Sequence, residues 1–216
     1  MRFELLAAVP EEDLRRALSI ARRRTFAKGE VVFHRGDPAN ALHLITKGRF
    51  AARATTPLGD TVLFRVMGSG DAFGELALLT ADGIRSATVA ALEPSQTLSI
   101  ARADFEVLVA EHPDVRIVLT ELLAASVRRL SERLLEALHV GAERRVLRRL
   151  LELADEEAEP VVLLTQDELA GLAGTSRETV NRVLGEERRR GTVEVHRGRI
   201  VLLAASELGR RAGLSL

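Results

Sequence analysis

The spacing of apolar residues divides the chain into a short helix, a β-rich part and a helical second half. Residues 10–24 carry Leu14, Leu18 and Ala21 at helical spacing, which predicts an amphipathic helix. Short apolar runs follow, separated by turns such as Leu58-Gly59-Asp60. They predict strands at residues 31–33, 41–45, 50–55, 61–66, 86–91 and 96–101. Many short strands at near-regular spacing favour a small antiparallel barrel or roll.

A long helix is predicted at residues 113–138. Its apolar residues recur at nearly seven-residue spacing, as in a helix that packs against a partner helix. They are Val115, Leu119, Leu122, Ala125 or Ser126, Leu130, Leu134 and Ala137. His139-Val140-Gly141 interrupts the pattern and predicts a hinge. Another helix is predicted at residues 142–155, with an acidic loop up to Glu159.

A helix-turn-helix is predicted after this loop. Thr165 with Glu168, and Thr175 with Glu178, each match the S/T-x-x-E capping box, so two helix starts lie close together. Gly174 supplies the left-handed backbone that ends the first helix. The turn is therefore short, which is typical of a tight and nearly perpendicular helix pair.

The second of these helices buries Val180, Val183 and Leu184 and presents polar side chains outward. Arginine can donate to both acceptors of guanine, and glutamate can accept from the cytosine amino group. The candidate DNA-reading residues are Ser176, Arg177, Glu178, Thr179 and Arg182. The alternative is a solvated helix face, with Glu178 occupied by its capping box.

Two further elements flank this motif. A strand at residues 161–164 leads into Thr165, whose cap hydroxyl and N–H groups can hold a DNA phosphate. A hairpin at residues 191–202 has Arg197 at its tip, placed either to touch the DNA backbone or to be solvated. Together these elements predict a winged helix-turn-helix.

Composition limits the classes of function that are compatible with this chain. The 216 residues are 46% hydrophobic, enough for a core in each of two modest domains, and the formal net charge is zero. No apolar run approaches the roughly 20 residues of a membrane span, and the first residues turn acidic too early for a signal peptide. A cytoplasmic protein is expected. Arginines concentrate after residue 126, so a local basic surface can still hold phosphates.

Cysteine is absent, which excludes disulfides, cysteine-ligated iron–sulfur clusters and cysteine zinc sites. The five histidines show no ligand spacing, so no metal site is expected. No nucleophile–base constellation is evident either, and the chain is not expected to be an enzyme.

The runs FGELALL, from Phe73, and RSATV, from Arg85, break the strand pattern. Gly74 lets the backbone approach a ligand, and a helical turn after it can present N–H groups to an anion. Arg85 and the Ser86 hydroxyl add charge and donors. Glu75 would repel a phosphate unless it serves another group, and a sugar hydroxyl is the obvious candidate. These residues predict a phosphate-binding cradle.

The order of FGELALL, RSATV, a long helix and TSRETVNRVL resembles the CRP/FNR family of bacterial transcription regulators across nearly the whole chain. The resemblance implies an α+β fold with an N-terminal double-stranded, jelly-roll-like β-roll, a long dimerisation helix and a C-terminal winged helix-turn-helix. The implied boundaries are residues 1–112 for a cyclic-nucleotide-binding-like effector domain, 113–140 for the dimerisation helix and hinge, and 141–216 for the DNA-binding domain.

The resemblance also implies an effector site. Glu75 would bond the ribose 2′-hydroxyl, Arg85 and Ser86 would hold the cyclic phosphate, and Gly74 and Leu76 would offer backbone groups. The alternative is that Arg85 and Glu75 pair with each other in a pocket that has lost its ligand.

The long helix would complete this site. Arg129 would brace it. In the cyclic-AMP-responsive members a Thr-Ser pair on this helix contacts adenine, but the matching positions here are Arg133 and Leu134. Arg133 could bond a guanine edge or another effector, or could point to solvent.

The function that the resemblance implies is a homodimeric, sequence-specific transcription regulator controlled by a small effector, cyclic AMP or cyclic GMP, with no required cofactor. Its implied partners are a palindromic double-stranded DNA operator with TGTGA-like half-sites, a second copy of the chain and RNA polymerase; no membrane partner is implied. One alternative is a regulator of the same fold that works without a nucleotide or with another effector. The absence of cysteine argues strongly against sensing through an iron–sulfur cluster and less strongly against haem sensing. A cyclic-nucleotide-dependent regulatory subunit would have no use for the helix-turn-helix.

Overall fold

The computed structural model describes residues 3–56, 61–154 and 160–214. Contacts divide the chain into one unit of Met1–Ala54 with Phe64–Arg128 and another of Thr55–Leu63 with Arg129–Leu216. The predicted turn at residues 58–60 and the acidic loop at 155–159 lie outside the described residues.

The strands of the first half form the predicted antiparallel roll. Within the described residues they are β1 (Arg22–Phe26), β2 (Val31–Phe33), β3 (Ala41–Lys47), β4 (Phe50–Thr55), β5 (Thr61–Met67), β6 (Ala72–Phe73), β7 (Thr88–Ala91) and β8 (Ser95–Ala101). One sheet has the order β1-β8-β3-β6 and the other β2-β7-β4-β5. Aromatic side chains fill the space inside: Phe50 packs against Phe26 and Phe73, with ring centroids 5.6 and 5.1 Å apart.

Helices cover the outer side of this roll. They are a 3₁₀ turn (Glu4–Leu6), α1 (Glu11–Ile20), α2 (Leu76–Leu79), α3 (Arg102–Glu111) and α4 (Asp114–His139). Their apolar faces share one core with β3 and β8, in which Phe3, Leu42, Ile100, Phe105 and Val115 are all buried. This core fixes the first turns of α4 against the roll.

The helix predicted at residues 10–24 is too long. It ends at Ile20, and Arg22–Phe26 is strand β1, paired antiparallel with β8 from Arg22 opposite Ser99 to Phe26 opposite Ser95. The paired residues lie 69 to 77 positions apart in sequence, so a local apolar stripe could not indicate the pairing. The short strand β6 and helix α3 were not predicted.

The second unit contains the predicted winged helix-turn-helix. Its elements are α5 (Ala142–Leu153), β9 (Val161–Val162), α6 (Gln166–Ala173), α7 (Arg177–Arg189), β10 (Val193–His196), β11 (Arg199–Leu202) and α8 (Ala205–Ala212). The strands form one antiparallel sheet in the order β10-β11-β9. Helix α8, which was not predicted, packs against α5.

The two helices of the motif start at different kinds of cap. Thr165 makes the predicted capping box, in which Glu168 N–H donates to Thr165 Oγ1 (3.2 Å) and Thr165 N–H donates to the Glu168 carboxylate (2.6 Å). Helix α7 begins one residue later than predicted, because Ser176 is its N-cap and accepts from Thr179 N–H (3.2 Å). The predicted box of Thr175 and Glu178 is therefore wrong.

Helix α6 ends at Gly174, whose φ of 60° is the left-handed conformation predicted there. Val180, Val183 and Leu184 of α7 are buried, also as predicted. Among the described residues, no helix is long and apolar enough to cross a membrane.

Candidate functional site

A pocket in the first unit lies between the roll and the first half of α4. Its polar lining consists of Glu4, Arg65, Asp71, Glu75 and Ser126, and Leu119, Leu122 and Leu123 of α4 supply its apolar wall. Charged groups and leucines thus face one another across the space, which suits a ligand with both a polar and an apolar face.

The position of Arg65 in this pocket is fixed by Asp71. Arg65 Nη2 donates to Asp71 Oδ1 at 2.7 Å. The other carboxylate oxygen, Oδ2, accepts from Gly68 N–H at 2.8 Å, so the turn before β6 holds the carboxylate in place. Arg65 therefore presents a cation with a defined orientation.

Glu75, immediately before α2, contributes a half-buried carboxyl. Burial raises its pKa above the ordinary value of 4.5, although its own backbone amide and the nearby Arg65 and Arg85 cations oppose the shift. A carboxyl held out of water in this way gains from any donor that a ligand brings to it.

Arg85 is buried beside Gly74, the residue before Glu75. Its Nη1 donates to Gly74 O at 2.9 Å, its Nη2 donates to Ala41 O at 2.7 Å, and its guanidinium lies 4.0 Å from the ring centroid of Phe33. Burial lowers the pKa of Arg85, and the carboxylate of Glu75 opposes this effect. Two backbone segments, at β3 and at the end of β6, are joined by one side chain.

One donor of Arg85 is left over. Its Nε is buried, and among the described residues no acceptor bonds to it. His43 nearby does not add a second cation, because burial and the neighbouring Arg85 lower its pKa to about 3. A buried donor without an acceptor costs free energy unless an acceptor is supplied. An anionic ligand group is one such acceptor.

Gly74 is required by both its backbone and its neighbour. Its φ is +89°, and a Cβ atom there would lie 2.4 Å from Arg85 Nη1. Only glycine adopts this conformation and leaves room for the guanidinium. The structure thus brings Gly74, Glu75 and Arg85 together, but of the predicted effector-binding residues only Glu75 is among those that line the pocket. Leu76 and Ser86 are exposed, and the roles of all these residues remain predictions.

The two predicted site residues on α4 lie beyond the pocket-lining part of the helix. Arg129 follows Ser126 by three residues and has an exposed side chain. Arg133 lies 3.6 Å from Glu152 of α5, and burial together with the nearby Arg149 lowers its pKa. Their effector-binding roles remain predictions.

The second candidate site is the outer face of α7. Ser176, Arg177, Glu178 and Arg182 are exposed, and Thr179 is half-buried. Arg177 pairs with Asp167 at 3.2 Å and Arg182 with Glu186 at 2.9 Å. Exposed ion pairs of this kind contribute about 0–1 kcal/mol, so both guanidinium groups can exchange their partners for DNA at little cost.

The other residues predicted to contact DNA differ in the hydrogen bonds that they already make within the protein. The amide and hydroxyl of Thr165 both bond the Glu168 carboxylate, at 2.6 and 2.9 Å. Ser176 Oγ serves the cap of α7 and also lies 3.1 Å from Thr179 Oγ1. Arg197 is exposed in the turn between β10 and β11. The wing therefore presents a cation at its tip.

Sequence reasoning missed four polar residues of the pocket, which are Glu4, Arg65, Asp71 and Ser126. Arg65 occurs in a strand whose alternation gave no reason to single it out, and Ser126 was considered only for the helix seam. Asp71 had the clearest signal, because it follows a Gly-Ser-Gly turn and directly precedes the cradle run. No group of three or more His, Cys, Asp or Glu residues within the described part of the chain could hold a metal ion.

Comparison with known proteins gives two domain matches. Residues 23–112 match the cyclic nucleotide-binding domain, and residues 144–211 match the Crp-like helix-turn-helix domain. The first range includes Gly74, Glu75, Arg85 and Ser86, and the second includes α6, α7 and the wing. The first match therefore contains the β-roll part of the pocket, without its lining residues on the 3₁₀ turn and α4, and the second contains the outer face of α7.

Relatives match over most of their length. The chain is 34% identical over 204 residues to the cyclic AMP receptor protein of Thermus thermophilus, covering 94% of each. It is 32% identical over 195 residues to the CRP-like cAMP-activated global transcriptional regulator of Mycobacterium tuberculosis, covering 87% of this chain and 86% of that one. The fold is similar to the c-di-GMP responsive regulator CLP of Xanthomonas campestris, with a TM-score of 0.78 at 22% identity, covering 89% of this chain and 99% of that chain.

The raised pKa of Glu75 predicts a pH-dependent effect of Glu75→Gln on the ligand-free protein. In the unfolded chain Glu75 loses its proton near pH 4.5, whereas in the folded protein it does so at higher pH. The free energy of unfolding of the wild type therefore falls as pH rises through this window, and Glu75→Gln removes that loss. Urea denaturation between pH 5 and 8 should show the variant gaining stability relative to the wild type as pH rises.

The control is Glu121→Gln, which removes an exposed carboxyl of α4. It is measured under the same conditions as a matched loss of one carboxyl. A stability difference between Glu75→Gln and the wild type that does not change with pH would contradict the assignment of a desolvated carboxyl.

Proposed function

Because the chain belongs to the CRP/FNR family of bacterial transcription regulators, we propose that it is a cytoplasmic homodimer that binds a palindromic operator under the control of a cyclic nucleotide. The observation that carries this proposal is the buried Arg85 with an unused donor, next to Glu75 at the pocket wall. A cyclic nucleotide offers a phosphate to a cation and ribose hydroxyls to a carboxylate. The pocket and the DNA-reading helix are both present in one chain.

The pocket residues fit such an effector. Arg85 would hold the cyclic phosphate through Nε, which has no acceptor among the described residues, and through the Nη donors that now bond carbonyls. Ser86 would add its hydroxyl. Glu75 would accept from the ribose 2′-hydroxyl, while Gly74 and Leu76 leave backbone groups within reach. The leucines of α4 that line the pocket suit the face of a base.

Cyclic AMP is the first candidate, since the names of two similar regulators refer to it. Cyclic GMP is the second, because Arg133 stands where cyclic-AMP-responsive members have part of their adenine-contacting pair. An arginine can donate to the two acceptors of guanine. Arg133 would first have to leave Glu152, and Arg129 would brace the site.

A nucleotide-independent regulator is the second candidate function. It is favoured by the bonds that Arg85 already makes to Gly74 O and Ala41 O, since two of its three nitrogens need no ligand. In that case the cradle stabilises the roll and the DNA-binding unit acts without an effector.

Calorimetric titration with cyclic AMP and with cyclic GMP tests the proposal. We expect binding by the wild type and a loss of roughly tenfold or more in affinity in Arg85→Gln, because a hydrogen bond to a charged group contributes about 1.5–3 kcal/mol. Ser86→Ala, which leaves the buried core untouched, should weaken binding less.

Arg23→Gln, at an exposed arginine of β1, removes the same charge and should bind like the wild type. Circular dichroism should show that Arg85→Gln is folded. Absence of heat with both nucleotides in the wild type would favour the nucleotide-independent function.

DNA recognition is proposed to rest on Arg177, Glu178 and Arg182 reading TGTGA-like half-sites in the major groove, with Ser176 and Thr179 beside them. Thr165 and Arg197 would contact phosphates. Phosphate contacts position the protein, whereas contacts to base edges specify the sequence. The two kinds of residue should therefore respond differently to a change of DNA.

Arg182→Ala should relax sequence preference by about 1–3 kcal/mol, because it removes one contact to base edges. Arg197→Ala should weaken binding to all DNA alike and reduce the salt dependence by about one phosphate contact. Fluorescence anisotropy with operator and random duplexes at several salt concentrations measures both effects. Equal losses on the two duplexes for Arg182→Ala would show that Arg182 does not read the sequence.

Dimerisation is proposed along α4. After Leu119 this helix leaves large apolar side chains exposed in the single chain, among them Leu130 at 53%, Leu134 at 61% and Leu138 at 67%. Their four-residue spacing places them on one face, and burying each would contribute about 1.5–3 kcal/mol. A second copy supplies the same face by two-fold symmetry.

Sedimentation velocity of Leu134→Glu should show monomers at concentrations where the wild type is a dimer, because a buried charge faces its own copy across the interface. The control is Val107→Glu on α3, an equally exposed apolar position at 57%. A wild-type monomer, or a dimer that survives Leu134→Glu, would place the interface elsewhere. RNA polymerase remains a proposed partner without an assigned contact surface.

A further inference from the structure

One arginine of α5 bonds three backbone carbonyls that belong to two different helix ends. Arg145 Nη1 donates to Val140 O at 2.7 Å, Nε donates to Ala173 O at 2.9 Å, and Nη2 donates to Gly174 O at 2.8 Å. All three distances are those of well-formed hydrogen bonds. Each nitrogen of the guanidinium is thereby used once.

The carbonyls that it joins lie at the C-terminal ends of two helices. Val140 follows the last residue of α4, and Ala173 and Gly174 are the last residue and C-cap of α6. The final carbonyls of a helix are unsatisfied and carry its negative dipole end, which a cation stabilises. Arg145 therefore serves two helix ends that would otherwise need separate partners.

Of the three hydrogen bonds, the one to Val140 joins segments that packing in the hydrophobic core does not already hold together. Val146, Leu147 and Leu150 of α5 are buried, so α5 and α6 are held together by packing without Arg145. Val140 lies in the link before α5, next to Gly141. Arg145 thus connects this link directly to the turn that leads into α7.

A second contact holds the last turns of α4 to α5. Glu136 accepts from Arg148 Nη1 at 2.7 Å and also pairs with Arg149. These contacts of Glu136 join side chains of α4 and α5, whereas Arg145 bonds backbone carbonyls of the link and of the turn. The two contacts are independent and can be altered separately.

We propose that Arg145 is a positioning residue that makes the start of the recognition helix follow the orientation of the α4–α5 link. The inference rests on the proposed function where it concerns the effector, because a signal from the first domain reaches α7 through this link. We call the three hydrogen bonds of Arg145 the clamp. Without the clamp, the link can rotate at Gly141 while the turn at Gly174 keeps its orientation. Effector and DNA affinities then become uncoupled although each site remains intact.

The test compares Arg145→Lys and Arg145→Gln with the wild type. Lysine keeps the charge but replaces the planar fork by a single ammonium group, which cannot bond three separated carbonyls in the same way. Arg144→Gln, one residue earlier on an exposed position of α5, is the matched loss of charge. Three quantities are measured for each protein: cyclic AMP affinity, and operator affinity with and without cyclic AMP.

Both Arg145 variants should bind cyclic AMP like the wild type, while the gain in operator affinity on adding cyclic AMP falls toward unity. In the wild type and in Arg144→Gln this gain should be about 5–150-fold, the usual size of an allosteric coupling. A gain that stays at the wild-type value in Arg145→Lys and Arg145→Gln, even with weaker DNA binding overall, would overturn the proposal. The same loss of gain in Arg144→Gln would overturn it too.

Hydrogen exchange on the DNA-free protein separates this proposal from the proposed function. The N–H groups of Gly174 and Thr175 donate to Ala170 O in the turn. They should exchange faster in both Arg145 variants, while the amides in the buried middle of α5 keep their protection. This result is expected even if the wild type proves insensitive to cyclic AMP, whereas unchanged exchange at the turn would refute the clamp.

Discussion

The hydrogen bonds from Arg85 to the carbonyls of Gly74 and Ala41 define the effector half of this protein. They hold the segment after β6 against β3, and they are possible only because Gly74 has a positive φ and no Cβ. The same contacts leave Glu75 at the pocket wall and one donor of Arg85 without an acceptor among the described residues. A ligand that bears an anion and hydroxyl groups is thus favoured by groups that the fold itself has put in place.

Arginine bonded to backbone carbonyls is a repeated device in this chain. Arg102 donates to Ala77 O within α2, Arg145 to the ends of α4 and α6, and Arg148 to Ala212 O at the end of α8. A guanidinium can serve several carbonyls at once, which an ammonium cannot. Of the 31 basic residues only Lys28 and Lys47 are lysines, which agrees with this use. Two arginines that look like DNA-binding charge in the sequence, Arg145 and Arg148, therefore bond helix-end carbonyls instead.

The sequence predicted the β-roll, the long helix and the winged helix-turn-helix, and the resemblance to the CRP/FNR family is confirmed by its relatives. These elements carry local signals: turn glycines, a seven-residue apolar spacing and the capping box at Thr165. The strand Arg22–Phe26 depends on a partner distant in the chain, which periodicity cannot indicate. Arg65 and Asp71 bond each other only six residues apart, but strand alternation gives no reason to single out Arg65. The second cap was misplaced by one residue, since Thr175 and Ser176 both suit an N-cap. The roles of Arg129 and Arg133 remain predictions.

Control of DNA binding by an effector requires that the two sites affect each other equally, because a coupling free energy is reciprocal. The most direct measurement is therefore the affinity of the protein for cyclic AMP with and without operator DNA at one salt concentration. We expect operator DNA to tighten cyclic AMP binding by about 5–150-fold, by the same factor as cyclic AMP tightens operator binding. Cyclic AMP that binds with the same affinity whether or not operator DNA is present would contradict control by this nucleotide.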